Sequence, residues 1–198
     1  MLKRMVHALA ECPFIFDVLR RALEFNYIGE RKVIREEVLS NRRILDLGCG
    51  TGELCGEFCQ ANYVGVDISE AYIQWAKQKN PSYKFQIMNA TSLDFPDDAF
   101  DAVLISGVLH HCEADVAQAI LGEARRVLLW GGKVVAWEDV PARGNINLIG
   151  RAVQKLDEGE NILSPEGYSR LFEKFFRIEK TYPMRSGFCD YQVFVLRK

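Results

Sequence analysis

The residues of this chain best suited to ligand chemistry are an acid and the glycine-rich segment that follows it. Residues 44–52 read Ile-Leu-Asp-Leu-Gly-Cys-Gly-Thr-Gly, so that Asp46 closes a short apolar run and glycines occupy every second position after it. The apolar run is typical of a buried parallel strand. Glycines allow a sharp turn and a close approach of the main chain to a ligand. A helical pattern opens at Glu53, and a helix N-terminus favours an anionic group. The segment therefore predicts a nucleotide-type site.

A second acid and the spacing of the glycines indicate which nucleotide is bound. Residues 63–67 form another short apolar run that ends in Asp67, whose carboxylate suits the two hydroxyls of a ribose. Dinucleotide sites follow the pattern G-x-G-x-x-G, but here Glu53 stands where the third glycine belongs. A carboxylate is unfavourable beside a pyrophosphate. S-adenosylmethionine has no phosphate and carries an ammonium and a sulfonium, so the segment favours that ligand.

At this point the chain resembles a known family. Residues 46–52 are similar to the first motif of the class I S-adenosylmethionine-dependent methyltransferases, and further motifs follow in the family's order over about residues 41–140. The segment around Pro96, the paired His110 and His111, and the Arg-Val-Leu-x-x-Gly-Gly segment at 126–132 look most like the ubiquinone/menaquinone-biosynthesis type. Trp130 stands where that group usually has proline.

The resemblance implies a fold and a set of cofactor contacts. The fold is α/β and Rossmann-like, with a seven-stranded, mostly parallel sheet, helices on both faces and an antiparallel last strand. Asp46 is expected near the methionine ammonium, Ile68 over one face of the adenine, and Asn89 at the adenine edge, where the family often has Asp. The residues expected at S-adenosylmethionine, or at its product S-adenosylhomocysteine, are Asp46, Gly48, Cys49, Gly50, Gly52, Asp67, Ile68, Asn89, Ala90 and Ser106.

Methyl transfer needs donor and acceptor held in line, and a base is useful without being obligatory. His110 and His111 follow the fourth predicted strand, and histidine has a suitable pKa for a base. If the segment is extended, successive side chains alternate and only one of the two faces the pocket; we favour His111. Glu138 and Asp139 end the fifth predicted strand, where they either contact a polar acceptor or simply finish the strand.

The main hypothesis is methyl transfer to a small-molecule acceptor whose identity the sequence does not give. Two alternatives stay open: an aminopropyl transferase of the same fold, and a non-catalytic methyltransferase-like subunit. No metal is expected, because the spacing of His110, His111, Cys112 and Cys189 matches no metal site. Nucleic acid is a disfavoured partner, since the net charge is −2 and the D/N-P-P-Y/W segment of DNA amino-group methylases is missing from the sequence.

Length and composition limit the number of domains and the class of protein. A chain of 198 residues is about one domain in length. It has no run near the roughly 18 apolar residues that a membrane span requires. Six scattered cysteines without a C-x-x-C pair suggest free thiols and a cytoplasmic location. The sequence does not indicate an oligomeric state.

The elements that must position these residues alternate between strand and helix. Residues 1–40 are expected to form an N-terminal helical cap and residues 41–198 the cofactor-binding domain. In the cap, an apolar stripe of Phe14, Ile15, Val18, Leu19, Ala22 and Leu23 predicts one amphipathic helix, and a second is predicted over Glu30–Leu39. Ser69 and Ser164 are predicted helix caps, Asp97–Asp98 a turn, and residues 176–182 and 191–196 a final strand pair.

The cap helix and the segment from Arg143 to Gly167 are expected over the carboxyl edge of the sheet, with Tyr27 and Arg143 near the mouth of the site. They either pack permanently with the apolar stripe inward or form a mobile lid.

Overall fold

The computed structural model describes residues 12–38, 43–141, 147, 150, 152 and 161–198. The expectations for Arg143, for most of the segment from Arg143 to Gly167 and for a helix end at Leu39 lie outside these residues.

A seven-stranded sheet forms the centre of the molecule. Its spatial order is β3-β2-β1-β4-β5-β7-β6. The strands are β1 (Ile44–Leu47), β2 (Tyr63–Asp67), β3 (Lys84–Ile87), β4 (Phe100–Ser106), β5 (Leu128–Asp139), β6 (Arg177–Ser186) and β7 (Cys189–Arg197). Strands β1 to β5 are parallel to one another, and β7 runs antiparallel to both β5 and β6. The predicted fold class, including the antiparallel last strand, is confirmed.

Five described α-helices flank the sheet: α1 (Pro13–Leu23), α2 (Ile28–Glu37), α3 (Glu70–Lys79), α4 (Ala114–Val127) and α5 (Pro165–Phe172). Two predicted caps are confirmed, because the hydroxyl of Ser69 accepts from Tyr72 N at 3.3 Å and that of Ser164 accepts from Gly167 N at 3.2 Å. These hydroxyls satisfy N–H groups that a first helical turn leaves without a partner.

The prediction of a helix that begins at Glu53 was wrong. The chain makes a turn there and then two short 3-10 helices, at Cys55–Glu57 and Gln60–Asn62, before β2 begins. Phe58 and Leu54 are buried against the sheet together with Val33 and Ile34 of α2. Helix α2 therefore contributes to the apolar layer on the face where the predicted helix would have packed.

Helix α1 does not pack with its apolar stripe inward, which was the first of the two alternatives for the cap helix. Phe14, Val18 and Leu19 are 58%, 51% and 47% exposed, whereas Asp17 and Glu24 are only 5% and 0% exposed. The helix thus turns its polar face toward the sheet edge. The surface below it offers hydroxyl, indole and ammonium donors, and covering these with apolar side chains would leave them without partners.

Within the described part of the chain, no helix is long and apolar enough to cross a membrane, and no three His, Cys, Asp or Glu side chains are grouped so as to hold a metal ion.

Candidate functional site

The predicted site residues converge on one edge of the sheet. Asp46 lies in β1, Asp67 ends β2, Asn89 follows β3 and Ser106 ends β4. Since these four strands are parallel, their carboxyl ends lie at the same edge, where ligands bind in open α/β sheets.

Asp46 is a deeply buried acid of this edge. Its Oδ2 accepts a hydrogen bond from the phenol of Tyr63 at 2.6 Å. Its Oδ1 is buried and has no hydrogen-bond partner among the described residues. Burial raises the pKa of Asp46 to about 7, with the Tyr63 hydrogen bond acting in the opposite direction and the Asp67 charge adding to the rise. A buried carboxylate oxygen without a donor is costly, and a cationic ligand at this oxygen would remove that cost.

The glycine turn lies directly beside this carboxylate. Gly48 has φ +78°, and a Cβ there would overlap the side chain of Val108. Gly50 has φ +53°, and a Cβ there would meet no described heavy atom within 4 Å. The missing side chain at Gly50 therefore leaves open space against the main chain, as a bound ligand requires. Cys49 and Gly52 belong to the same turn, in which Gly52 N donates to Cys49 O at 3.0 Å.

Asp67 ties the turn to the end of β2. Its Oδ2 accepts from Gly50 N at 2.9 Å and its Oδ1 accepts from Ser69 N at 2.8 Å. Burial raises the pKa of Asp67, and the Ser69, Gly50 and Ile68 backbone hydrogen bonds counteract that rise. The neighbouring Ile68 is 71% exposed. An apolar side chain standing in solvent next to a half-buried acid is suited to cover a flat ring.

The residues after β3 are more exposed. The side-chain oxygen of Asn89 accepts from both the backbone and the hydroxyl of Thr91, at 3.0 and 2.9 Å. This local turn orients the amide, so its NH₂ group becomes the natural contact for a ligand. Ala90 is half-buried beside it. Ser106 is half-buried at the end of β4. The backbone N–H of the next residue, Gly107, donates a hydrogen bond to Trp137 O at 2.9 Å.

The two histidines do not lie on an extended segment. They belong to a 3-10 turn at Leu109–His111, and their ring centroids are 4.0 Å apart. The alternation on which His111 was favoured is therefore wrong. His110 is buried and its Nδ1 lies 2.8 Å from Glu138 Oε2, whereas His111 is exposed. Glu138 is fully buried and accepts hydrogen bonds from the turn, so it does more than finish its strand.

Helix α1 covers the glycine turn through polar contacts that the sequence did not reveal. Asp17 accepts from the hydroxyl of Thr51, from the Trp75 indole at 2.9 Å and from Lys79 at 2.8 Å. Arg21 pairs with Glu53 at 2.8 Å. Tyr27, expected at the mouth, is buried in the structure. Asp17 and Arg21 stand outside the apolar stripe of the helix, and their partners lie 32 to 62 residues away in sequence.

The described groups fit a small cationic nucleoside. Asp46 offers an unpartnered carboxylate oxygen, Gly50 leaves space, and Asp67 and Ile68 offer an acceptor and an apolar surface. An ammonium, a ribose and an adenine require these groups in that order.

Comparisons with known proteins agree with this geometry. A family model described as a methyltransferase domain matches residues 44–132. The demethylmenaquinone methyltransferase of Thermus thermophilus is 34% identical over 148 residues, which are 69% of this chain and 66% of that protein. The eEF1A lysine and N-terminal methyltransferase of Mus musculus is 31% identical over 116 residues, which are 55% of this chain but only 17% of that protein.

The fold is shared with solved structures. An S-adenosylmethionine-dependent methyltransferase from Methanosarcina mazei superposes with a TM-score of 0.67 at 21% identity, covering 84% of this chain and 96% of that one. The chain thus spans 96% of that structure but less than a fifth of the length of the first eEF1A methyltransferases it matches.

Proposed function

Because the chain belongs to the class I S-adenosylmethionine-dependent methyltransferases, we propose that it transfers a methyl group from S-adenosylmethionine to a small-molecule acceptor. The observation that carries this proposal is the buried Asp46 oxygen without a donor beside the open space at Gly50. That oxygen is suited to the ammonium of the methionine part.

Four groups of the chain would hold the cofactor. Asp46 accepts from the ammonium, Asp67 accepts from the ribose hydroxyls, Ile68 covers the adenine and the Asn89 amide contacts its edge. S-adenosylmethionine supplies a methyl group on a sulfonium whose positive charge is lost in the transfer. The protein supplies alignment and excludes water, which contributes about 7–11 kcal/mol in the best intramolecular cases.

Between the two candidate bases, the geometry favours His110 over His111. His110 is the one whose ring nitrogen lies 2.8 Å from a buried carboxylate oxygen, that of Glu138. A hydroxyl or ammonium acceptor must lose a proton, and an imidazole held in one orientation is suited to receive it.

The relatives differ in the acceptors that their names give. One is named for a lysine and an N-terminus, and another for demethylmenaquinone. The candidate acceptors for this chain are therefore phenols and quinols first, then amines and carboxylates. We place the protein in the cytoplasm, supported by six cysteines that are all free thiols.

Calorimetry tests the cofactor assignment directly. We expect S-adenosylmethionine and S-adenosylhomocysteine each to bind at one site per chain, and NAD not to bind. Asp67→Ala should weaken binding, while Asp94→Ala, a matched acid on an exposed loop, should not. Heat from NAD with none from either sulfur ligand would refute the assignment.

A transfer assay tests the reaction. Methyl-labelled S-adenosylmethionine is offered with each acceptor class, and label on the acceptor is the expected result. Decarboxylated S-adenosylmethionine with a diamine provides the contrasting assay: aminopropyl transfer there, without methyl transfer, would establish the alternative enzyme. Cofactor binding without transfer to any class would favour a non-catalytic subunit.

A further inference from the structure

One buried carboxylate at the end of β5 organises the turn that carries the histidines. Glu138 is 0% exposed. Its Oε1 accepts from Val108 N at 3.1 Å and Leu109 N at 3.0 Å, and its Oε2 accepts from His110 N at 3.3 Å. The same Oε2 lies 2.8 Å from the ring Nδ1 of His110.

These contacts bind the start of the 3-10 turn and its imidazole to a single group. The first N–H groups of a helical turn have no partner within the turn, so a carboxylate placed there is well satisfied. Since all three backbone groups donate, Glu138 is the acceptor in this cluster. The ring contact is then a hydrogen bond only if the proton is on Nδ1 of His110.

We propose that Glu138 is a positioning residue for methyl transfer, which acts by holding the proton on Nδ1 of His110 and so leaving the lone pair on Nε2. This inference rests on the function proposed above. As the acceptor atom forms its bond to the methyl carbon, the carbon–sulfur bond breaks and its electron pair stays on sulfur. The proton of the acceptor passes to Nε2 of His110.

The groups around the ring are consistent with this role. Nε2 of His110 lies 3.6 Å from Asp139 Oδ2, which is beyond hydrogen-bond distance but close enough to stabilise the imidazolium that forms. The His111 ring lies against the other side, at a centroid distance of 4.0 Å and an angle of 42°. Both carboxylates lie on β5, so they hold the imidazole from one strand end.

Nuclear magnetic resonance of ring nitrogens tests the positioning without any acceptor. The chain has only three histidines, His7, His110 and His111, so ¹⁵N-histidine labelling gives a readable spectrum. His110→Gln identifies the signal of His110 by its loss. We expect this ring in the Nδ1–H form in the parent, and a loss of that form in Glu138→Gln, whose amide can also donate to Nδ1.

A matched control separates this effect from the loss of any buried charge. Glu37→Gln also neutralises a buried carboxylate, one that binds Lys180 at 2.5 Å and Tyr182 at 3.1 Å, both on the edge strand β6. It should leave the His110 ring signal unchanged. A parent with the proton on Nε2, or a Glu138→Gln variant that keeps the Nδ1–H form, would overturn the proposal.

Kinetic measurements with an acceptor found in the transfer assay test whether His110 receives the proton and whether Glu138 acts through it. His110→Gln should lower kcat by about 10²-fold or more, with the affinity for S-adenosylhomocysteine unchanged. If Glu138 acts through His110, the double variant Glu138→Gln/His110→Gln should turn over as slowly as His110→Gln alone. A purely structural Glu138 predicts a further multiplicative loss, and that result would refute the positioning role.

The two proposals fail in different ways. A parent that binds neither sulfur ligand refutes the proposed function, while the ring-nitrogen measurement still decides how Glu138 and His110 interact. A parent that transfers methyl groups with an unaltered kcat in His110→Gln supports the function and refutes this inference. If Glu138→Gln fails to fold, His110→Gln still decides the base role, because it leaves the three backbone contacts of Glu138 in place.

Discussion

At the scale of single residues, Asp46 connects burial to ligand binding. Its pKa is raised to about 7 because it is buried with only one hydrogen-bond donor. A carboxyl group must be ionised to hold an ammonium well. We therefore expect the affinity for S-adenosylhomocysteine to rise with pH up to about 7, by as much as tenfold per unit, and to level off above it. Calorimetry across this range measures the effect, and Asp46→Asn should remove it together with most of the affinity.

The stability of the unliganded protein should change in the opposite direction. A raised pKa in the folded state means that the folded chain holds the proton more tightly than the unfolded chain does. The contribution is fully present below the unfolded pKa and is lost as the pH rises through about 7. Urea unfolding at several pH values should show this loss in the parent and a flatter profile in Asp46→Asn. If the free energy of unfolding depends on pH equally in the parent and in Asp46→Asn, another group binds the proton.

A third prediction ranks the two ends of the nucleoside. Asp67→Ala should cost more affinity than Asn89→Ala, because a charged acceptor is lost, and hydrogen bonds to charged groups contribute about 1.5–3 kcal/mol each. Asp67 also holds the turn through Gly50 N, whereas the Asn89 oxygen is used within its own loop. Calorimetry on both variants measures the difference. Equal losses would mean that the ribose and adenine ends have been assigned wrongly.

The parts of the site that could be predicted are those whose residues lie close together in the sequence. The acids and glycines of the first two strand ends are signalled by residue type and spacing within a few positions. The side chains that contact these acids and the glycine turn are not signalled in this way. Tyr63 reaches Asp46 from 17 residues away, and Asp17 reaches Lys79 across 62. Neither contact leaves a periodic signal, so only the folded arrangement reveals it.

At the scale of elements, α1 shows why an apolar stripe does not always face inward. The stripe was identified correctly, but the alternative in which it packs inward does not hold, because the surface it would cover is polar. Three consecutive non-glycine residues, Phe25, Asn26 and Tyr27, have φ of 49°, 59° and 59° where α1 joins α2. Such conformations cost of order 1 kcal/mol each and persist only where the surroundings enforce them.

The polar attachment of α1 predicts a lid, and exchange measurements test it. Bound S-adenosylhomocysteine should slow hydrogen exchange in residues 12–28 while leaving α4 unchanged. Asp17→Ala should speed exchange in α1, because it removes the acceptor for Thr51, Trp75 and Lys79 at once. Glu36→Ala, on the exposed side of α2, is the matched control. If the ligand protects the glycine turn alone, α1 is a permanent part of the domain.

Element boundaries were predictable where a cap or a strand end marks them, as at Ser69, Ser164 and the turn at Asp97–Asp98. They were not predictable where tertiary packing decides the conformation. The segment after Glu53 forms two short 3-10 turns, and the segment around His110 forms one. In the second case the carboxylate of Glu138 holds the turn, and that group comes from a strand 28 residues later.

At the scale of the whole molecule, stability depends on two apolar layers, one on each face of the sheet. Phe194 of β7 is fully buried in the first layer, with its ring centroid 4.9 Å from that of Phe172 and 6.2 Å from that of Tyr168. These rings join α5 to the strand that closes the sheet between β5 and β6. The antiparallel strand is therefore a main contributor to the core and not a peripheral addition.

This arrangement predicts a large loss of stability for one apolar truncation and almost none for another. Phe194→Ala should lower the free energy of unfolding by about 3–5 kcal/mol, since it removes a buried ring and leaves a cavity that the sheet cannot close. Leu19→Ala, on the outward face of α1, should change it by no more than about 0.5 kcal/mol. Urea unfolding with an unchanged slope measures both. A large loss from Leu19→Ala would show that the stripe on α1 is covered in solution, and the inverted orientation of that helix would then have to be abandoned.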